Sequence, residues 1–168
     1  MSTSMSLRDR LAAIIGPDAV RDDAETLAVH SRDKWFASVL PDVAVFPTTT
    51  EMVSAVLRFA NEEEIPVTAR GAGVGYVGGC VPARRGIALS LARMDRIKEI
   101  HAADGVAVVE PGVITGVLQA AAREQRLFYP PDPASLKGAD NHVSDALRAG
   151  MAGKLVAVTK PYGCSLKC

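Results

Sequence analysis

The chain has 168 residues, and 48% of them are hydrophobic, which is enough apolar content to bury the core of one domain. Its 19 basic and 19 acidic side chains cancel, so the charge balance gives no support to binding of nucleic acid. No stretch reaches the roughly 18 to 20 apolar residues that span a bilayer, and the start of the chain is polar. We therefore expect no membrane span and a cytoplasmic location.

The cysteines and histidines predict neither a disulfide framework nor a metal site. Three cysteines are an odd number and are unevenly spaced, and Cys80 is interpreted as a packing residue. Cys164 and Cys168 lack the redox Cys-x-x-Cys spacing, although a thiol redox module that uses them stays an alternative. We expect the histidines, which show no ligand spacing, at the surface: His30, His101 and His142.

The first elements in chain order are helical or irregular. One face of a predicted helix carries Leu7, Leu11, Ile14 and Ile15, and Gly16-Pro17 follows as a stop signal. Residues 18–41 mix charged and aromatic side chains without a sustained period. We interpret them as irregular, with a possible second short helix.

A β-α-β order is predicted from Val43 onward. Residues 43–47 form a strand that ends at proline, and Thr48 with Glu51 three residues later predicts a capping box. The helix that follows carries a buried stripe that includes Val56 and Leu57. Residues 65–69 then return as a strand that leads directly into a glycine-rich loop.

Three apolar runs after the loop predict three further strands, and a helix follows them. A turn around residues 102–105 joins the last two strands, and Val113, Val117, Ala120 and Ala121 have the spacing of one helical face. The three predicted strands span residues 87–91, 97–100 and 106–110.

Arg70–Gly79 contains five glycines in ten residues directly after a predicted strand. Such a loop can turn its main-chain N–H groups toward one point, which is how proteins hold phosphate oxygens. Residues 73–78 match the pattern G-x-G-x-x-G, but the Rossmann fingerprint also needs a helix to begin inside the motif, and here a strand comes next. A glycine-rich surface hairpin without a ligand stays an alternative.

Four motifs in this order resemble the FAD-binding domain of the vanillyl-alcohol-oxidase type of flavoproteins. The resemblance covers roughly residues 32–137 and is greatest to the glycolate oxidase FAD subunit and D-lactate dehydrogenase group. The motifs are Pro47–Glu51, Arg70–Gly79, Glu110–Val113 and Tyr129–Ser135.

The resemblance implies an α/β (α+β) fold of the PCMH type, in which two small sheet-and-helix lobes pack together with the glycine loop between them. It implies that main-chain N–H groups of the loop hold the FAD pyrophosphate, with two further turns near the cofactor. Arg70 either faces this anion or is an exposed strand end. Since Tyr76 and no histidine stands in the loop, the resemblance implies non-covalent FAD. The residues implied beside Arg70 are Gly71, Ala72, Gly73, Val74, Gly75, Gly78, Gly79, Pro111, Gly112, Pro131, Asp132 and Ser135.

The resemblance ends near residue 138, which divides the chain into an N-terminal segment (1–40), a partial FAD-binding domain (41–137) and a divergent tail (138–168). Residues 160–167 look like the end of some thioredoxin-like peroxiredoxin-family proteins. No substrate domain follows, so we expect a C-terminally truncated FAD-binding portion of an oxidoreductase for 2-hydroxy acids of the glycolate or D-lactate type.

We expect this portion to be inactive alone, to bind FAD weakly, and to expose apolar surface that associates with a second copy or a partner subunit. No catalytic residue is predicted. An inactive remnant without cofactor and a thiol redox module are the alternatives.

Overall fold

The computed structural model describes residues 5–34 and 36–129. It contains four α-helices and six strands in that part of the chain, which confirms the mixed α/β class. In chain order they are α1 (Leu7–Ile15), β1 (Val20–Arg21), α2 (Ala24–His30), β2 (Val43–Val45), α3 (Thr50–Glu62), β3 (Val67–Arg70), β4 (Ile87–Ser90), β5 (Ile97–His101), β6 (Val106–Val109) and α4 (Thr115–Glu124).

A four-stranded sheet with the order β1-β2-β4-β3 organises the first lobe. Strands β2, β4 and β3 are parallel, with Val43 and Val67 both paired to Ile87, whereas β1 runs antiparallel to β2. Because β2, β3 and β4 share one direction, their carboxyl ends lie at the same edge of the sheet. The glycine loop begins at that edge, directly after β3.

The connection between β3 and β4 is unusual in composition. Neighbouring parallel strands need a crossover of about a dozen residues or more, and a helix usually supplies it. Here residues 71–86 make the crossover without a helix or a strand. The glycine loop is therefore both a candidate binding element and the chain's route back to the start of β4.

The N-terminal segment belongs to the same hydrophobic core as the sheet. Leu11 and Ile15 of α1 are buried in one cluster with Val56 of α3, and Val20 of β1 is fully buried beside them. Strand β1 pairs with β2 through Val20 and Val45. Helix α1 and strand β1 thus form part of the folded lobe and are not a separate appendage.

The start of α3 differs from its sequence prediction by one residue. The N-cap is Thr49, whose hydroxyl accepts a hydrogen bond from Met52 N at 3.3 Å, whereas the hydroxyl of Thr48 contacts the Met52 sulfur. Within the predicted apolar stripe, Val56 is buried but Leu57 is 45% exposed. The stripe facing the core is therefore narrower than the sequence indicates.

The second lobe contains the antiparallel hairpin β5–β6 and helix α4. The hairpin has a register irregularity near Ile97, and residues 102–105 form its turn, as predicted. The buried residues of α4 are Leu118, Gln119 and Ala122. Val117 and Ala120 are exposed, so the predicted apolar face was wrong at both positions.

Much apolar surface of the second lobe lies open. Every residue of β6 is exposed, and the exposed large apolar side chains of this lobe are Val106, Val108, Val109, Ile114, Val117 and Phe128. Among the described residues, no helix combines the length and apolar character that crossing a bilayer requires.

Candidate cofactor site

The glycine loop presents main-chain N–H groups that are not engaged in sheet pairing. Residues 71–80 belong to no strand or helix, and most of them are exposed. In the described part of the chain, the N–H groups from Gly71 to Val77 donate no hydrogen bond to another residue, and only Gly78 N has a protein acceptor. A run of free N–H groups of this kind is suited to bind an anion.

Three consecutive residues after α2 hold this loop. Arg32 offers its carbonyl oxygen to Arg70 Nη1 at 2.6 Å, and the Asp33 carboxylate accepts from Gly78 N at 3.1 Å. Lys34 N donates to Gly75 O at 2.9 Å. No sequence pattern indicates these three contacts, because residues 32–34 lie in the stretch that shows no periodic pattern.

Arg70 ends β3 beneath the loop and is only 8% exposed, so the alternative of an exposed strand end does not hold, and contact of Arg70 with an anion stays a prediction. Its guanidinium donates to the Arg32 carbonyl and lies 3.9 Å from Cys80 Sγ. Among the described residues it forms no ion pair. A guanidinium has five N–H donors, and a buried cation without an anionic partner is costly, so an anion bound above it would offset that cost.

Two of the loop's glycines are required by the protein itself. Gly73 has φ +69°, and a Cβ atom there would overlap the Arg70 guanidinium, while Gly78 has φ +74°. Gly71 is different, because an added Cβ would meet no atom within 4 Å. Nothing in the described chain explains the absence of a side chain at Gly71, whereas a ligand in contact with the main chain would.

The predicted second turn is held by tight backbone contacts. Gly112 N donates to Met94 O at 2.8 Å, and a Cβ at Gly112 would lie 2.5 to 2.9 Å from the carbonyl oxygens of residues 91, 92 and 94. This packing alone explains why position 112 is glycine. Pro111 is exposed, and contact of Pro111 and Gly112 with a cofactor stays a prediction.

An ion pair anchors the same turn. The carboxylate of Glu110, whose side chain is 3% exposed, accepts two N–H groups of the Arg96 guanidinium and also the main-chain N–H of Arg96. Hydrogen bonds from Arg96 lower the pKa of Glu110 and raise that of Arg96. Glu110 is therefore a structural carboxylate that holds the turn and is not poised to accept a proton at neutral pH.

His30 lies inside the first lobe, which corrects the prediction that it is a surface residue. It is 9% exposed, its ring contacts Phe46 edge to face, and Nδ1 lies 2.8 Å from Thr26 O. Burial lowers its pKa, and the nearby Arg70 charge acts in the same direction. His101 is exposed and pairs with Glu99. No group of metal-ligating side chains occurs among the described residues.

Several predicted residues lie outside the described residues, and their roles stay predictions. They belong to the predicted turn at Tyr129–Ser135 and to the segment after it, and they are Pro131, Asp132, Ser135, His142, Cys164 and Cys168.

Comparison with known proteins identifies the domain. Residues 41–139 match a family described as an FAD binding domain, which is more than half of the chain. The chain belongs to this family. A glycine loop with free N–H groups above a buried guanidinium fits the diphosphate of FAD, because both groups favour a doubly charged anion. The residues of this FAD-binding domain are thus chemically compatible with the diphosphate, and their individual roles toward FAD stay predictions.

Three curated relatives illustrate the match. The chain is 33% identical to the glycolate oxidase subunit GlcD of Bacillus subtilis, with 96% of this chain and 35% of that protein covered. It is 35% identical to a D-2-hydroxyglutarate dehydrogenase of Stutzerimonas stutzeri over 79% of this chain and 29% of that protein. It is 44% identical to a D-lactate dehydrogenase of Archaeoglobus fulgidus, with 55% of this chain and 21% of that protein covered.

The chain thus spans about a third or less of the length of these relatives. The match to the Bacillus subtilis subunit covers 96% of the chain and so continues past residue 138. The interpretation of residues 138–168 as a divergent tail, and the likeness of its end to peroxiredoxin-family proteins, stay predictions.

Solved structures agree with the fold. This FAD-binding domain superimposes on p-cresol methylhydroxylase with a TM-score of 0.63 and 28% identity, covering 71% of this chain and 24% of that one. A 4-ethylphenol oxidase from Gulosibacter chungangensis gives a TM-score of 0.62 and 29% identity, covering 71% of this chain and 24% of that one. The two-lobed FAD-binding fold implied by the sequence motifs is confirmed.

Proposed function

We propose that this chain binds FAD non-covalently and forms the FAD-binding portion of an oxidoreductase that acts on 2-hydroxy acids. The observation that carries the proposal is the run of exposed N–H groups above the buried Arg70 guanidinium. The FAD diphosphate would accept hydrogen bonds from the main chain of Gly71, Ala72, Gly73, Val74 and Gly75. Gly78 and Gly79 would shape the loop, with Pro111, Gly112, Pro131, Asp132 and Ser135 near the cofactor.

Non-covalent binding is supported by the side chains around the loop. The loop contains Tyr76, which is 71% exposed, and no histidine. His30 is buried against Phe46 with Nδ1 bonded to the Thr26 carbonyl. We therefore expect FAD to be released intact when the protein is denatured.

The substrate class follows from the names of the relatives, because glycolate, D-lactate and D-2-hydroxyglutarate are all 2-hydroxy acids. The flavin supplies redox chemistry at the α-carbon of such acids, and the protein supplies position and charge. We propose that this chain supplies residues that bind FAD and that it is not active alone. A cytoplasmic location stays a prediction of the sequence.

Titration of the full chain with FAD, followed by quenching of flavin fluorescence, tests the proposal. We expect saturable binding that ADP, which carries a diphosphate, displaces and that riboflavin, which carries none, does not. Failure to bind FAD would leave a folded remnant without cofactor. Binding that riboflavin displaces as well as ADP does would contradict the diphosphate site.

Gly71→Ala tests the loop directly, and Gly116→Ala is its matched control. In the described chain an added Cβ meets nothing within 4 Å at either position, so neither change produces a clash in the free protein. At Gly71 the methyl group would stand where the diphosphate approaches the main chain. Loss of one charge-assisted hydrogen bond costs about 1.5–3 kcal/mol, so we expect at least about tenfold weaker FAD binding for Gly71→Ala only.

We also propose that the apolar surface of the second lobe is covered in the working protein by a second copy or a partner polypeptide. An exposed four-residue strand of Val106, Ala107, Val108 and Val109 is a template for pairing with another chain. Light scattering during size-exclusion chromatography should give a mass that rises with protein concentration. A monomer at all concentrations would contradict this part of the proposal.

A further inference from the structure

Asp33 lies against the glycine loop at two positions. Asp33 is 8% exposed, and its Oδ2 accepts a hydrogen bond from Gly78 N at 3.1 Å. A Cβ atom on Gly75 would lie 3.3 Å from the same oxygen, so Gly75 passes directly over the carboxylate. One oxygen atom therefore meets the loop at both Gly75 and Gly78.

The main chain beside Asp33 strengthens this contact. Lys34 N donates to Gly75 O at 2.9 Å, and Arg32 O accepts from the Arg70 guanidinium at 2.6 Å. These bonds use a carbonyl group at Gly75 and an N–H group at Gly78. They leave the N–H groups from Gly71 to Val77 without an acceptor among the described residues, as an anion site requires.

The charge of Asp33 works against the ligand that the loop is suited to bind. A carboxylate below a diphosphate repels it, and burial weakens the screening of that repulsion. The Arg70 guanidinium offsets part of this cost. Asp33 therefore has two opposing effects on diphosphate binding. As a hydrogen-bond acceptor it shapes the loop and favours binding, whereas its negative charge repels the diphosphate and disfavours binding.

We infer that Asp33 is a positioning residue for the cofactor diphosphate, acting through Gly75 and Gly78 without touching the ligand. The inference rests on the proposed binding of FAD to this loop. It predicts that a neutral acceptor of the same shape preserves or improves binding, and that removal of the acceptor weakens it.

Asp33→Asn and Asp33→Ala in the full chain separate these two effects, and Asp42→Ala is the matched control. Asp42 Oδ2 accepts from Gly86 N at 2.8 Å, which is a bond of the same type before β2 and β4, at the opposite edge of the parallel strands. The dissociation constants of FAD and ADP are measured for each variant, together with the melting temperature without ligand.

We expect Asp33→Ala to bind both ligands about tenfold to a hundredfold more weakly, since a hydrogen bond to a charged group is lost. Asp33→Asn should bind as tightly as the unmodified chain or more tightly, and Asp42→Ala should stay within about twofold. A purely structural role would instead lower the melting temperature of both Asp33→Ala and Asp42→Ala without a selective effect on the two ligands.

The outcomes distinguish the inference from the proposed function. If the unmodified chain binds no FAD, both fail. If it binds FAD and Asp33→Ala binds equally well, or if Asp33→Asn is as weak as Asp33→Ala, the inference alone is overturned. Should Asp33→Ala not fold, Asp33→Asn decides: tight binding supports the acceptor role, and a tenfold or greater loss refutes it.

Discussion

Leu11→Ala tests whether the N-terminal helix belongs to the same cooperative unit as the sheet. Leu11 is fully buried in the cluster that α1 shares with α3 and the strands, so truncation leaves a cavity in the centre of the first lobe. Leucine-to-alanine changes at such sites cost about 2.7–5 kcal/mol, a large part of the roughly 5–15 kcal/mol that keeps a domain folded. We expect the melting temperature to fall by roughly 10–20 °C.

The assays are thermal and urea unfolding of the full chain, both followed by far-ultraviolet circular dichroism, with Ile14→Ala as control. Ile14 lies on the same helix but is 41% exposed, so its truncation should cost less than about 1 kcal/mol. If Leu11→Ala and Ile14→Ala lowered the unfolding free energy by equal and small amounts, the reasoning would be refuted. Such a result would mean that residues before 41 are dispensable for the fold that the family match describes.

Three further changes probe the cap, the buried histidine and the second turn. Thr49→Ala should cost about 1 kcal/mol of unfolding free energy and Thr48→Ala less, because only Thr49 caps α3. Burial holds the pKa of His30 below its ordinary 6.5. The unfolded chain therefore binds the proton more readily than the folded chain. The unfolding free energy should fall as pH drops below about 6.5 and should level off below the pKa of His30 in the folded chain. His30→Gln should reduce the slope of unfolding free energy against pH. Gly112→Ala should cost about 1–3 kcal/mol because its Cβ meets three carbonyl oxygens, whereas Gly116→Ala in α4 should be neutral or stabilising.

Urea denaturation at a series of pH values measures all three. A larger loss at Thr48 than at Thr49 would contradict the cap. An unchanged pH slope in His30→Gln would show that another group titrates, and equal stability of Gly112→Ala and the unmodified chain would mean that the turn relaxes around the added methyl group.

The sequence predicted the elements that depend on local pattern. The apolar run at Val43, the amphipathic spacing of α3 and the glycine-rich stretch after β3 each have a short-range signal, and each element is found within a few residues of its predicted bounds. The pairing of β1 has no such signal, because two residues form it and the partner strand lies more than twenty positions away.

The site was predicted only in part for the same reason. The free N–H groups follow from glycine composition, whereas their support comes from Asp33, which lies 45 positions from Gly78 along the chain. Burial of His30 likewise depends on Phe46 closing over its ring. Contacts between segments that are distant along the chain produce no periodic pattern in the sequence, so sequence patterns do not predict them.

The irregular crossover from β3 to β4 couples binding of the cofactor to the stability of β3, the edge strand of the sheet. Within residues 5–129 as the structure describes them, strand β3 has a neighbour on one side only, and residues 71–86 connect it covalently to that neighbour. Ordering of this connection by FAD would restrict the edge strand as well. Amide hydrogen exchange in β3 would then slow in proportion to occupancy, and free FAD at about a hundred times its dissociation constant would add about 2.7 kcal/mol to the stability of the lobe.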